Sequence, residues 1–180
     1  MNISLVMTII GPDRPGLVDS VATIVAEHGG NWLESRMSRL GGQFAGILRI
    51  QLPSDNEAAL GQALRQLESL GITAVVLADQ PPGTATPKRL TRIEIVGQDR
   101  PGIVRQISHA LARHGVNVEE LNTECQSAPM SGETLFKAQA KLQIPAACNL
   151  ADLTMDLEKI AADLMVDLSW SELPVSAPPA

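Results

Sequence analysis

The chain has 180 residues, of which 44% are apolar and 2% aromatic, and its formal net charge is −6. That length fits one large domain or two small ones, and the negative charge, with no window that clusters Lys and Arg, argues against a surface built to grip a phosphate backbone. The aromatics are Trp32, Trp170, Phe44 and Phe136, with no tyrosine, so cores must be aliphatic and little is available to stack bases.

No apolar stretch approaches the ~20 residues of a membrane-crossing helix. The N-terminus carries no basic cluster, and Asp13 interrupts the apolar run too early for a signal peptide. Cys125 and Cys148 are far apart and give neither a disulfide framework nor zinc-ligand spacing. The expected location is the cytoplasm, with no cofactor and no metal.

Residues 2–10 alternate Ile3, Leu5, Met7 and Ile9 onto one face, which predicts a strand stopped by Gly11 and Pro12. Asp13 then reads as a helix N-cap, with Pro15 in the first turn, where a missing N–H costs nothing. Leu17, Val18, Val21, Ile24 and Val25 form one helical stripe, and His28-Gly29-Gly30 ends it with a glycine for the left-handed C′ position. A second strand runs from Asn31 to about Arg39, and Gly41-Gly42 turns it into a third. There Phe44, Gly46, Leu48, Ile50 and Leu52 oppose Gln43, Ala45, Ile47, Arg49 and Gln51. Pro53-Ser54-Asp55 breaks that strand and caps a second helix with Leu60, Leu64, Leu67 and Leu70 on its stripe. Gly71 closes the helix, and residues 73–77 make a fourth strand.

The order is βαββαβ, and it is written twice. Gly11-Pro12-Asp13-Arg14-Pro15-Gly16 returns as Gly97-Gln98-Asp99-Arg100-Pro101-Gly102, 86 residues later. Residues 91–96 predict the strand, and Ile103, Val104, Ile107 and Leu111 the helix stripe. His114-Gly115-Val116-Asn117 answers His28-Gly29-Gly30-Asn31 at the same offset. Phe136, Ala138, Ala140, Leu142 and Ile144 answer the third strand at an offset of 92, so the second hairpin has six extra residues around Ala128–Gly132. Leu150, Leu153, Leu157 and Ile160 mark the last helix, and residues 165–170 the last strand. The fold class is therefore α+β: two tandem ferredoxin-like units with antiparallel sheets and helices on one face. Their expected bounds are 1–79 and 91–173, with a Pro- and Gly-rich linker at 80–90 and a disordered tail at 174–180.

The pairing of Gly-x-Asp-Arg-Pro-Gly-[Leu/Ile]-Val with His-Gly-x-Asn on this frame resembles the ACT domain. Two such domains filling a chain of this length resemble the glycine cleavage system transcriptional repressor family. That resemblance implies an amino-acid-binding regulatory module, with glycine or serine as ligand, held at the interface between two copies. Carried over residue by residue, the ligand-binding positions are Asp13, Gly16, Leu17 and Asn31, with Asp99, Gly102, Ile103 and Asn117. It also implies a co-regulator that acts on a separate DNA-binding activator protein and reads no nucleic acid itself. The alternative reading is a stand-alone ACT subunit that regulates a metabolic enzyme in trans. An enzyme fragment resembling the ACT region of formyltetrahydrofolate hydrolase is the residual one, and the sequence shows no catalytic constellation to support it.

The residues themselves support a small zwitterion. A helix N-terminus offers free N–H groups and partial positive charge to a carboxylate, and a side-chain-free glycine allows close approach. Asn31 follows Asp13 by 18 residues, as Asn117 follows Asp99, and the spacing is read as bringing each pair to one end of its sheet. An Asn carboxamide serves either end of an amino acid. Each residue also has a structural reading: Asp13 and Asp99 as N-caps, Gly16 and Gly102 for helix–sheet packing, and Asn31 and Asn117 as turn formers. Arg14 and Arg100 read as solvated or as inter-domain ion pairs, and His28 and His114 as caps of their helices. Ala45 and Ile47, on an otherwise polar face, suggest an interface that leaves a homodimer open. A ligand as small as glycine, at a ceiling of about 1.5 kcal/mol per non-hydrogen atom, binds at best near micromolar.

Overall fold

The structure is a computed structural model that describes residues 1–80, 88–127 and 134–172. Expectations for linker residues 81–87, the hairpin insertion at Ala128–Gly132 and the tail at 174–180 lie outside the described residues. The chain divides into two compact units at 82/83.

In the first unit, β1 (Asn2–Pro12), β2 (Asn31–Leu40), β3 (Gln43–Pro53) and β4 (Thr73–Ala78) form one antiparallel sheet in the order β2-β3-β1-β4. Helices α1 (Leu17–Glu27) and α2 (Glu57–Gln66) cross between strands, with short 3-10 turns at Ser54–Asn56 and Leu67–Leu70. Strand alternation places Leu5, Met7 and Ile9 of β1 and Leu48, Ile50 and Leu52 of β3 in the core. Leu17, Val21 and Val25 of α1, with Leu60, Leu64 and Leu67, cover them. Each such fully buried side chain stabilises by about 1.5–3 kcal/mol over exposure. β1 extends through Gly11 and Pro12 rather than stopping before them, because Pro12 lies beyond the last rung paired to β4.

The second unit repeats the plan with β5 (Lys88–Gln98), β6 (Asn117–Ser127), β7 (Thr134–Pro145) and β8 (Val166–Glu172), in the order β6-β7-β5-β8. Its helices are α3 (Ile103–Arg113) and α4 (Leu150–Leu164). Phe136, Ala138, Ala140, Leu142 and Ile144 are all buried, as the alternation of β7 requires. β5 begins at Lys88, so residues 88–90 belong to the second sheet and not to the linker. A bulge falls at equivalent places in β2 and β6, between Trp32 and Glu34 and between Val118 and Glu120. Asn149 caps α4 by accepting from the Ala151 amide at 3.1 Å.

Three helix stripes differ from expectation. Val18 and its equivalent Val104 are each 42% exposed. Both sit one step round the helix from Leu17 and Ile103, which take the core positions. Leu70 also lies outside the core, and neither Ser54 nor Asp55 caps α2, since a 3-10 turn intervenes. No helix among the described residues is long and apolar enough to cross a membrane.

Candidate functional site

Each duplicated turn is a short strap between a central strand and a helix, and backbone bonds hold it. Asp13 N–H donates to Gly42 O at 2.9 Å, tying the turn to the neighbouring hairpin, and Asp99 N–H donates to Thr134 O at 2.9 Å in the same way. Gly16 and Gly102 then adopt left-handed conformations, with φ of 86° and 99°, immediately before α1 and α3. A Cβ on Gly16 would meet nothing within 4 Å, and one on Gly102 would meet only Gln106 Nε2 at 3.7 Å. The glycines are therefore required by backbone conformation and not by helix–sheet packing.

The N-cap expectation for Asp13 and Asp99 is corrected. The helices start four residues later, and neither receives a side-chain cap. The left-handed glycine inserts an extra turn, which carries the aspartate out of reach of the first helical amides. Asp13 Oδ2 instead meets Arg39 Nε at 2.6 Å. The second unit has Cys125 where the first has Arg39, opposite Phe136 as Arg39 is opposite Phe44, so that pair is not repeated. Arg14 is exposed, as the solvated reading expects, and donates to Leu70 O at 3.2 Å inside its own unit. Arg100 Nη2 reaches Gln98 Oε1 at 3.1 Å and Met165 Sδ at 3.9 Å.

The chemical consequence is two uncapped helix N-termini, whose first amides have no partner within the helix. They are not electrically alike. The first turn of α1 contains Asp19, whereas that of α3 has no acidic residue and has Arg105 at the equivalent position. A cavity of about 330 Å³ lies against Arg105, Gln106 and His109. Leu17 and Ile103 are buried in their cores, so only their backbones are presented to a ligand.

Asn31 and Asn117 do not join Asp13 and Asp99. Asn31 pairs with Gln51, which pairs with Ser4, while Gln43 pairs with both Pro12 and Leu40. Asp13 and Asn31 are thus at opposite ends of the first sheet, about 25–30 Å apart at about 3.4 Å per residue. Asn117, on the rung of Gln143 and Leu90, and Asp99, next to Gln98, are split identically. The reason is topological. The helix carries the chain back to where the first strand began, so the next strand starts at that end and runs parallel to β1.

The histidines have separate structural duties. His28 Nδ1–H donates to Ile24 O at 2.8 Å, closing its own helix. His114 Nε2 contacts Asp156 Oδ2 at 2.8 Å and ties α3 to α4. That hydrogen bond holds the Asp156 carboxyl below its ordinary range. Among the described residues, no group of three or more His, Cys, Asp or Glu is arranged to hold a metal ion. Two residues of consequence escaped sequence reasoning: Arg39, whose partner is 26 residues away, and Asp79, which Arg49 holds by Nε and Nη2 at 2.7 Å. The visible signal for the second was Arg49 itself, a lone charge beside Ala45 and Ile47.

Models of the ACT domain match residues 4–76 and 91–136. The chain is 22% identical over 162 residues to the glycine cleavage system transcriptional repressor of Escherichia coli (strain K12), covering 89% of this chain and 85% of that one. Among solved structures, a protein of unknown role from Galdieria sulphuraria superposes with a TM-score of 0.83 at 27% identity, over 97% of this chain and 100% of its own. Another, named provisionally as a glycine cleavage system transcriptional repressor, superposes with a TM-score of 0.70 at 21% identity, over 96% and 98%.

Proposed function

Because the chain belongs to the ACT-domain family and carries two copies in tandem, we propose that it is an amino-acid-sensing co-regulator of transcription that acts through a DNA-binding protein partner. The similarity to a glycine cleavage repressor over most of both chains supports the regulatory role. The observation that carries the sensing role is the repeated uncapped helix N-terminus behind a left-handed glycine. It offers a first helical turn that no side chain caps, and positive potential, to a carboxylate at the same place in each unit.

The ligand set consists of the turns: Asp13, Gly16 and the Leu17 backbone in one, Asp99, Gly102 and the Ile103 backbone in the other. No single amino acid spans Asp13 and Asn31 of one unit. Asn31 and Asn117 would have to reach such a ligand from another copy of the fold. The second turn is the stronger carboxylate site, since Arg100 and Arg105 flank it and no acid sits in its first helical turn. Glycine and serine are the ligands of choice because their small size suits a shallow turn. A ligand regulates only by binding one arrangement of the protein better than another.

Affinity capture from extract of the source cell, with and without glycine, tests this reading. Recovery of a DNA-binding regulator whose yield changes with glycine is the expected result. Recovery of a metabolic enzyme and no transcription factor would contradict it.

A further inference from the structure

The two sheets share a fold and differ in their free faces. In the second, Lys137 meets Glu94 at 2.7 Å, and Lys141 lies 3.6 Å from Glu119 and 3.8 Å from Glu120. That face is a solvated lattice of charges. In the first, Ile47 stands where the second has Gln139, and Val6 where it has Arg92. Ile47 is 48% exposed, with Val75 and Ile10 exposed nearby on the same face. The second unit shows that the fold does not require an apolar floor here, so the floor needs another explanation.

Over this floor opens a cavity of about 320 Å³, with Val6 and Ile47 beneath and Glu34, Arg36, Arg49 and Asp79 around it. Its volume is at the lower end of the range for small-molecule sites. Cross-strand pairing puts Glu34 beside Arg49 and, two rungs on and on the same face, Arg36 beside Ile47, while Asp79 approaches Arg49 from the end of β4. Asp79 is fixed from two sides: its amide donates to Ser4 O at 3.0 Å, and its carboxylate receives Arg49. The side chain is only 15% exposed. Nε and Nη2 of Arg49 converge on Oδ2, which leaves Oδ1 of Asp79 and Nη1 of Arg49 outside the pair.

We infer that the free face of the first sheet holds a second ligand site, separate from the turns, for an α-amino acid or similar zwitterion with an apolar side chain. The four ionised groups sum to zero, which suits a ligand that is itself neutral overall and carries both charges. Its carboxylate meets Arg49 Nη1, its ammonium meets Glu34 and Asp79, and its side chain covers Val6 and Ile47. Glycine leaves that floor wet, so a branched or thioether side chain is preferred. The site stands on this cavity alone and does not depend on the turns being occupied.

The test is calorimetric titration of the full chain with L-leucine, L-methionine and glycine, in wild type, Ile47→Trp and Arg49→Lys. Ile47 is half-exposed, so the indole fills the cavity without entering the core. The expected result is saturable binding of leucine or methionine at least about tenfold tighter than glycine at this face, weakened by about tenfold or more in both variants. Any glycine binding at the turns stays unchanged in Ile47→Trp. Three results would overturn the inference: no saturation by either apolar amino acid at millimolar concentration, equal binding in wild type and Ile47→Trp, or a dimer in sedimentation that Ile47→Trp dissociates. The last would make the face a subunit contact.

Discussion

Met165 occupies the place that Gly71 holds in the first unit, and both are left-handed, at φ of 55° and 76°. An L side chain in that region costs about 1–2 kcal/mol, and glycine gives back about 0.4–1 kcal/mol through the freedom of the unfolded chain. Met165→Gly is accordingly expected to stabilise the second unit by about 0.5–1 kcal/mol, seen as a higher urea midpoint at unchanged slope. A lower midpoint would mean that the contact between Met165 Sδ and Arg100 outweighs the strain. The Asp156–His114 link makes a different kind of prediction. The hydrogen bond from His114 lowers the Asp156 carboxyl from its ordinary value of 3.8. A carboxyl depressed on folding contributes stability above its unfolded value, lost as pH falls through the folded one. Asp156→Asn should therefore flatten acid unfolding of the second unit below about pH 4. An unchanged acid slope would show that the link does not couple to folding. The same scale explains why the Asp13 expectation failed. Its match to a cap pattern was local, whereas its partner Arg39 is set by the pairing of β2 with β3.

At the scale of elements, four glycines of the duplicated motif divide into two pairs with different reasons. Gly16 and Gly102 are fixed by positive φ in open space, whereas Gly11 and Gly97 are fixed by close approach of the residues that lead into the last strand of each unit. The close pair is unequal. A Cβ on Gly97 would lie 2.8 Å from both Met165 O and Val166 Cα, backbone atoms that cannot rotate away. On Gly11 the nearest atom is the Ile72 Cγ1 at 3.0 Å, and the backbone stands off at 3.3 Å. Gly97→Ala should cost about 2–3 kcal/mol and Gly11→Ala about 1 kcal/mol, compared by chemical denaturation of the full chain. Equal costs would show that β8 yields as readily as Ile72 does. Period and punctuation made the elements legible: alternation in β1 and β7, stripes on α1 and α3, and glycines after His28 and His114. What period cannot carry is where a helix begins after a left-handed residue, or which end of a sheet a strand starts from. The latter misplaced Asn31 and Asn117, since an 18-residue spacing fits either end until the parallel course of β1 and β2 is imposed.

For the whole molecule, duplication supplied two frames and divergence then gave them different surfaces. The first unit has an apolar floor on its free face, with the Arg49–Asp79 pair beside it, and an acidic residue at the start of α1. The second has a charged free face and a helix start without acid. Such a division suits two units that meet different ligands, and its sign in the sequence was Ala45 and Ile47 on an otherwise polar strand face. The proposed carboxylate site at the turns can be tested without disturbing the core, because Val18 and Val104 are exposed in the first turns of α1 and α3. Aspartate there places a like charge against a ligand carboxylate while favouring the helix dipole. The most direct measurement is calorimetric titration of glycine and serine into the full chain and into the double variant Val18→Asp, Val104→Asp. The account predicts saturable binding, no tighter than about micromolar, that weakens by about tenfold or more in a variant of undiminished thermal stability. Silence up to millimolar concentration in the wild-type chain, or equal binding by both proteins, would contradict it.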